Sequence, residues 1–264
     1  MPGTKSRKPT IEIVENWIKK WNSSIKKGSY ISFLKVRDVP SLGLSTMVLS
    51  NITKREHHYL SKLEYKAHLL SEYQSATINI REQYPLLPWE ETQAIAENFG
   101  IKHPKYPQTM TPIVMTTDLL ITLKSQNGQK LIAISVKPKK DLTPVNLEKL
   151  LIEKMYWKAR GVTWILVTED ELPKALTDNL HFFSSPMTRT NIDAEINPQI
   201  FSAAFENHHT KTAFYTDILH ETSQEFGIDV ITGHFILSKA IWSRQSKIDI
   251  FKNKISHREN IHLL

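Results

Sequence analysis

Two apolar runs joined by a tight turn constrain the fold more than any other feature of this sequence. Residues 113–123 and 130–136 are rich in β-forming side chains, and Asn127-Gly128 lies between them. This dipeptide between two such runs is the strongest short-range signal for a β-hairpin. The sequence therefore predicts two adjacent antiparallel strands.

Helix and strand patterns alternate on both sides of the hairpin. A helix is predicted over residues 61–73, and a strand over residues 77–82 follows and ends by Pro85. After the hairpin, Thr143 and Pro144 begin a helix that Gly161 ends, which matches the preference for proline at the start of a helix and glycine after its end. A further strand is predicted over residues 162–168. This order indicates an α/β domain with a mixed sheet flanked by helices.

The N-terminal region has the pattern of a basic amphipathic helix. Residues 11–21 place apolar side chains at helical spacing, and two short β-like runs follow at residues 30–36 and 45–49. The basic residues of this region are Lys19, Lys20, Lys26 and Lys27. These lysines either contact a phosphate backbone or form a solvated helix face.

The charge balance and the lack of cysteine limit the classes of function. The formal net charge is +7 and the pI is about 9.3, which favours a polyanionic partner because neutralising phosphates releases counterions. Without cysteine the chain has no disulfides, thiol nucleophiles or cysteine-ligated zinc. No apolar run approaches the roughly 18 residues of a membrane span. We therefore expect a cytoplasmic protein with no membrane partner.

The length of 264 residues and a change of sequence texture near residue 170 predict two domains, 1–170 and 171–264. The second has few β-like runs. Helices are predicted there over residues 211–226 and 229–242, followed by a short strand over residues 247–251. This is the outline of a winged-helix-like domain.

Two charged residues interrupt or end the apolar strands of the hairpin. Asp118 lies inside the first run, where a buried carboxylate is unfavourable unless it is paired or metal-bound. Lys137 follows the second run, so the turn brings both residues near the same end of adjacent strands. Carboxylates hold Mg²⁺, and a nearby cation assists phosphodiester hydrolysis. This is the arrangement of PD-(D/E)xK nucleases of the restriction-endonuclease-like fold, with Ser135-Val136-Lys137 at the (D/E)xK position.

Glu64 is the third candidate, because this fold often supplies a metal ligand from a helix that precedes the sheet. Two structural interpretations stay open. Ser61 and Glu64 have the spacing of a capping box, in which the glutamate only caps its own helix. Asp118 and Lys137 are also placed to form a purely structural ion pair.

Ordered motifs along residues 55–170 carry a family resemblance. They are Ser61-Lys62-Leu63-Glu64-Tyr65, Ile80-Arg81-Glu82-Gln83-Tyr84-Pro85-Leu86, Gly100-Ile101-Lys102-His103-Pro104, Met115-Thr116-Thr117-Asp118, Ser135-Val136-Lys137-Pro138, Glu153 with Tyr156-Trp157, and Val167-Thr168-Glu169. Together they resemble the TnsA family, the endonuclease subunit of heteromeric bacterial transposases of the Tn-seven type. The C-terminal part resembles this family only in topology.

The resemblance implies a site, a reaction and partners. Glu64 and Asp118 are expected to bind one or two Mg²⁺ ions, for which Mn²⁺ substitutes, with the Val136 carbonyl close by and Lys137 assisting hydrolysis. The expected reaction is cleavage at the 5′ ends of a transposon, while a TnsB-type recombinase cuts and joins the 3′ ends. A TnsC-type ATPase is the second expected partner and docks on the C-terminal domain. Supporting or DNA-contacting roles are expected for Gln83, Glu153, Arg81, Lys139 and Lys140.

Ser135 departs from the family pattern, which has a carboxylate or glutamine at this position. A neutral hydroxyl binds a metal weakly, so either water completes the coordination or Glu153 compensates. Two rival functions fit the same fold. One is a stand-alone restriction or repair nuclease, and the other is a catalytically inactive DNA-binding or scaffolding subunit, which the serine leaves open.

Overall fold

The computed structural model describes residues 9–36, 45–188, 195–210 and 212–264, and helices and strands alternate along its N-terminal half. In chain order these are α1 (Ile11–Lys26), β1 (Thr46–Leu49), β2 (Glu56–Tyr59), α2 (Lys62–Tyr73), β3 (Thr77–Pro85), α3 (Trp89–Asn98), β4 (Thr116–Ser125), β5 (Gly128–Val136), α4 (Pro144–Ala159) and β6 (Thr163–Val167). A short 3-10 turn, Lys139–Asp141, lies between β5 and α4. No described helix has the length and apolar character needed to cross a membrane.

A four-stranded mixed sheet organises this half of the chain, with the strand order β3-β4-β5-β6. β4 and β5 pair antiparallel around the Asn127-Gly128 turn, from Leu119 opposite Ile134 to Ser125 opposite Gly128. β3 is antiparallel to β4, whereas β6 is parallel to β5. The parallel pair requires a crossover, and α4 provides it. The predicted hairpin and the predicted mixed sheet flanked by helices are confirmed.

The core of this sheet lies against α3 and α4. Leu120 of β4 and Ala133 of β5 pack with Ala96 of α3 and with Ile152 and Trp157 of α4, and all five are buried. Burying a large apolar side chain contributes roughly 1.5–3 kcal/mol, so these contacts fix the helices on the sheet. The local start of α4 is as predicted, because the Thr143 side chain accepts a hydrogen bond from Asn146 N and proline occupies the first turn.

The strand predicted over residues 30–36 is wrong. This segment is an irregular loop that packs on β3 through side chains. The Tyr30 ring stacks on Tyr84 at a centroid distance of 6.3 Å, and the Tyr30 hydroxyl donates to the Glu82 carbonyl. Aromatic packing therefore replaces the strand pairing that its β-forming residues suggested.

The chain divides into two units, and the division is not at one point. The first unit contains Met1–His68 and Ala76–Glu169, and the second contains Leu69–Ser75 and Asp170–Leu264. The second unit therefore includes a segment at the end of α2 that the sequence analysis assigned to the first domain.

The second unit is helical, with α5 (Lys174–Ser184), α6 (Pro198–Asn207), α7 (Tyr215–Glu225) and α8 (Val230–Trp242). Lys211, the predicted first residue of the helix at residues 211–226, lies outside the described residues. The strand predicted over residues 247–251 is wrong, because Ile248 forms only an isolated bridge with Leu263. The Asp249 side chain accepts hydrogen bonds from the N–H groups of Phe251 and Lys252, and this turn ends the extended segment.

Candidate active site

Three predicted site residues meet at one end of the sheet, where the strands begin or finish. The side-chain nitrogen of Gln83, Nε2, lies 3.2 Å from Glu64 Oε2 and 3.3 Å from Asp118 Oδ1. The three residues are 2%, 5% and 8% exposed, respectively. α2, β3 and β4 thus bring two buried carboxylates together around one amide group.

Asp118 is held by the neighbouring strand. The Val136 N–H donates to Asp118 Oδ2 at 2.7 Å, just beyond the last ladder pair of β4 and β5. The Lys137 ammonium donates to the same oxygen at 3.1 Å and to the Val136 carbonyl at 3.0 Å. These donors compensate for burying a carboxylate in an apolar strand. The ion pair that the sequence left open as a structural alternative is therefore present.

Lys137 is only partly enclosed, with 37% of its side chain exposed. Burial lowers the pKa of its ammonium group, but the negative charges of Asp118 and Glu64 oppose this and hold the pKa above its ordinary value. The side chain therefore stays protonated across the neutral pH range and remains partly open to solvent.

Glu64 caps its own helix and also lies in the candidate site. Its carboxylate accepts from the Ser61 hydroxyl at 2.9 Å and from Leu60 N at 3.0 Å, while Glu64 N donates to Ser61 Oγ at 3.2 Å. This capping arrangement fixes the carboxylate beside Gln83. Burial, together with repulsion from Asp118, raises the pKa of Glu64 to about 7. The charged form of this carboxyl group is therefore disfavoured unless a cation lies near it.

Gln83 is oriented by an unusual backbone conformation and by Thr116. Its φ angle is +46°, in the left-handed region that non-glycine residues rarely adopt. The Thr116 hydroxyl donates to Gln83 Oε1 at 2.9 Å, so the amide nitrogen is the atom that faces the carboxylates. Thr116 belongs to the Met115-Thr116-Thr117-Asp118 motif, but the sequence predicted no role for it.

Ser135 and Glu153 form a separate buried network. Ser135 is fully buried, and its hydroxyl donates to Glu153 Oε1 at 2.5 Å while accepting from Trp164 Nε1 at 2.9 Å. Thr117 Oγ1 donates to the same Glu153 oxygen at 2.7 Å, and Trp157 Nε1 donates to Thr117 Oγ1. Burial and the charge of Asp118 raise the pKa of Glu153 to about 7. The serine hydroxyl is therefore engaged with Glu153 and Trp164.

The donor set near Asp118 and Glu64 fits a hard divalent cation with water in its coordination shell. Two carboxylates and the Val136 carbonyl are oxygen donors of the type Mg²⁺ and Mn²⁺ prefer. Within residues 9–36, 45–188, 195–210 and 212–264, no group of three His, Asp or Glu side chains is placed to hold a metal ion. A cation at this end of the sheet therefore needs the backbone carbonyl or water molecules in addition to the two carboxylates.

The DNA-contact candidates differ in their accessibility. Six of them have exposed side chains: Lys19, Lys20, Lys26 and Lys27 on and after α1, and Lys139 and Lys140 on the turn after Lys137. Arg81 instead donates to Thr122 Oγ1 at 3.1 Å, and its guanidinium lies over the Tyr84 ring at 5.4 Å. Arg81 therefore contributes to the packing of β3 and β4.

The region that contains most of the candidate site is similar to known proteins. Residues 74–169 match the family model described as TnsA-like endonuclease N terminal, and this range contains Gln83, Asp118, Ser135, Lys137 and Glu153. Over 172 residues the chain is 38% identical to the transposon Tn7 transposition protein TnsA of Escherichia coli. Over this region the chain is similar to TnsA-type endonuclease sequences. The matched region is 65% of this chain and spans 61% of the length of that TnsA protein.

Proposed function

We propose that this chain is a metal-dependent DNA endonuclease that cleaves the 5′ ends of a transposon as the TnsA-type subunit of a heteromeric transposase. The observation that carries the proposal is the convergence of Glu64 and Asp118 on one amide group, with the Lys137 ammonium on Asp118. The similarity to a Tn7 transposition protein supports the choice of substrate.

In the proposed site, Glu64, Asp118 and the Val136 carbonyl hold one or two Mg²⁺ ions, and water completes the coordination. A divalent ion bound there supplies Lewis-acid stabilisation of the charge that develops on the scissile phosphate. Lys137 stabilises the same charge through its ammonium group, which Asp118 orients and keeps protonated. Ser135 and Glu153 act as buried supports of the ends of β4 and β5, because each satisfies hydrogen bonds of the other.

The exposed lysines of α1 and of the turn after β5 are proposed to contact the phosphate backbone without reading bases. The second unit is proposed as a winged-helix-like docking module for a TnsC-type ATPase, next to a TnsB-type recombinase that cuts the 3′ ends. One observation favours docking over base reading. α8, the helix that would read bases in a winged helix, packs against α5, α6 and α7, and Ile231 is its one exposed residue.

A strand-specific cleavage assay tests the proposal. The purified chain is combined with the TnsB-type and TnsC-type proteins of the same transposon, Mg²⁺ and a donor plasmid, and 5′ nicks are read on denaturing gels. We expect Asp118→Asn to reduce nicking by about 100-fold or more, whereas Glu97→Gln, which removes an exposed carboxylate of α3, retains activity. Equal nicking by both variants contradicts the site. Cleavage that needs no partner protein instead supports the stand-alone nuclease.

A further inference from the structure

Gln83 lies between the two carboxylates of the candidate site, and its role extends beyond general support. Its Nε2 atom contacts Glu64 Oε2 and Asp118 Oδ1 at nearly equal distances of 3.2 and 3.3 Å. The Lys137 ammonium donates instead to Asp118 and to the Val136 carbonyl. Gln83 is thus the residue whose side chain joins the two carboxylates to each other.

The amide is held in this position from both ends. On the side-chain end, the Thr116 hydroxyl binds Oε1 and leaves the two N–H groups of Nε2 free to donate to the carboxylates. On the backbone end, Phe33 N donates to the Gln83 carbonyl at 3.3 Å. In the register of β3 and β4, Glu82 pairs with Leu119 and Tyr84 pairs with Thr117, while Gln83 lies between these pairs with a φ angle of +46°.

A left-handed conformation at a non-glycine residue is unfavourable and persists only where the surrounding structure imposes it. Here the conformation directs a neutral donor into a gap lined by two buried carboxyl groups. A divalent cation shared by Glu64 and Asp118 needs the same gap, because it interacts with the same oxygen atoms.

We infer that Gln83 is a positioning residue that keeps the cation site closed: its amide holds Glu64 and Asp118 together until a divalent cation displaces it. The inference rests on the metal site of the proposed function. In this role the Gln83 side chain competes with the cation for the gap. A substitution that empties the gap is therefore expected to strengthen cation binding, and a substitution that removes the amide donor is expected to weaken the metal-free fold.

Two substitutions at Gln83 separate these effects. Gln83→Ala removes both the donor and most of the side-chain volume, whereas Gln83→Met removes the donor but still fills the gap. Neither introduces glycine, so the strained backbone conformation is the same in both. Thr116→Val is a third variant, because it removes the hydroxyl that fixes the amide orientation.

The measurement uses the full chain without DNA. Mn²⁺ binding is followed by the electron paramagnetic resonance signal of the free ion, and thermal unfolding is recorded in EDTA. We expect Gln83→Ala and Gln83→Met to lower the melting temperature in EDTA by about 3 °C or more, because each loses two hydrogen bonds to buried carboxylates. Only Gln83→Ala is expected to bind Mn²⁺ more tightly than the unsubstituted chain, by about tenfold. Thr116→Val should shift both quantities in the same direction by a smaller amount.

The inference is overturned if Gln83→Ala binds Mn²⁺ no more tightly than the unsubstituted chain, or if both Gln83 variants keep full stability in EDTA. If Gln83→Ala does not fold, the same two criteria apply to Thr116→Val. Asp118→Asn identifies a failure of the proposed function instead. If Mn²⁺ binding is unchanged by Asp118→Asn, the ion is bound elsewhere, and the metal site itself is wrong.

Discussion

The backbone N–H of Val136 donates to Asp118 Oδ2 at 2.7 Å, so β5 holds the carboxylate through its main chain at the residue before Lys137. The lysine contacts the same oxygen at 3.1 Å. Since the main-chain bond does not depend on the lysine side chain, Asp118 retains a donor when that side chain is changed. The contribution of Lys137 to chemistry is therefore open to separate measurement.

Lys137→Ala is expected to slow 5′-strand cleavage by about 100-fold or more, because the ammonium acts on the reacting phosphate. DNA affinity should fall by less than about threefold, since one phosphate contact among many contributes modestly. Single-turnover cleavage and fluorescence anisotropy at one salt concentration measure the two effects. Lys140→Ala, at an exposed position on the turn after β5, is the control. A loss of DNA affinity as large as the loss of cleavage rate would show that Lys137 only contacts the DNA phosphate backbone.

Ser135→Ala is expected to keep cleavage within about threefold and to destabilise the fold by roughly 1–3 kcal/mol. The substitution removes a donor to the buried Glu153 and an acceptor for Trp164 Nε1, but no atom that contacts Glu64 or Asp118. Urea unfolding and the cleavage assay together test this, with Ser125→Ala on the hairpin turn as the exposed control. Loss of cleavage with unchanged stability would mean that the hydroxyl is itself a ligand.

The buried carboxyl group of Glu82 is expected to make the free energy of unfolding fall at acidic pH. Burial on its own would raise the pKa of this carboxyl, but hydrogen bonds and charge from His57 and Arg55 hold the pKa at about 2, against an ordinary value of 4.5. A carboxyl group with a lowered pKa in the folded state stabilises the fold above its unfolded pKa. This contribution is therefore complete above about pH 4.5 and is lost as the pH falls from 4.5 towards 2.

Glu82→Gln should remove this part of the pH dependence and lower the free energy of unfolding at pH 7 by about 3–5 kcal/mol, because Arg55 and His57 lose a buried partner. Urea unfolding between pH 3 and pH 7 measures both effects. Glu56→Gln replaces a carboxylate that is 58% exposed on β2 and should change little. Identical pH profiles for Glu82→Gln and the unsubstituted chain would rule out this origin of acid sensitivity.

Gly233→Ala should destabilise the second unit by roughly 1–3 kcal/mol, although alanine is normally the better helix former. A Cβ atom at this position of α8 would overlap Ser223 Oγ of α7 and would lie 3.1 Å from Phe201 Cζ of α6. Thermal unfolding of the single variant and of Gly233→Ala with Ser223→Ala tests the cause. The second substitution removes the overlapping oxygen and should restore part of the stability. A more stable single variant would show that the helices separate easily.

The positions of Asp118 and Lys137 in the candidate site could be predicted from the sequence. A carboxylate inside an apolar run and a lysine after its partner run predicted Asp118 and Lys137, because the hairpin turn fixed their relative position. The position of Gln83 between the carboxylates was not predictable, because it depends on a left-handed backbone angle that a strand pattern does not encode. Residues 30–36 have β-forming composition, but tertiary packing of Tyr30 on Tyr84 determines their conformation.

The second unit is formed by two separate segments of the chain, and this limits how it can be exchanged between proteins. The chain passes from one unit to the other at residues 68/69, 75/76 and 169/170. Tyr73, in the short second-unit segment of α2, accepts a hydrogen bond from Arg244 through its carbonyl, and its ring lies 4.6 Å from that guanidinium. A gene split or fusion at residue 170 therefore separates Arg244 from Tyr73, which its guanidinium contacts. The second unit therefore does not consist of residues 170–264 alone, and its exchange between related proteins requires Leu69–Ser75 to be compatible with the incoming sequence.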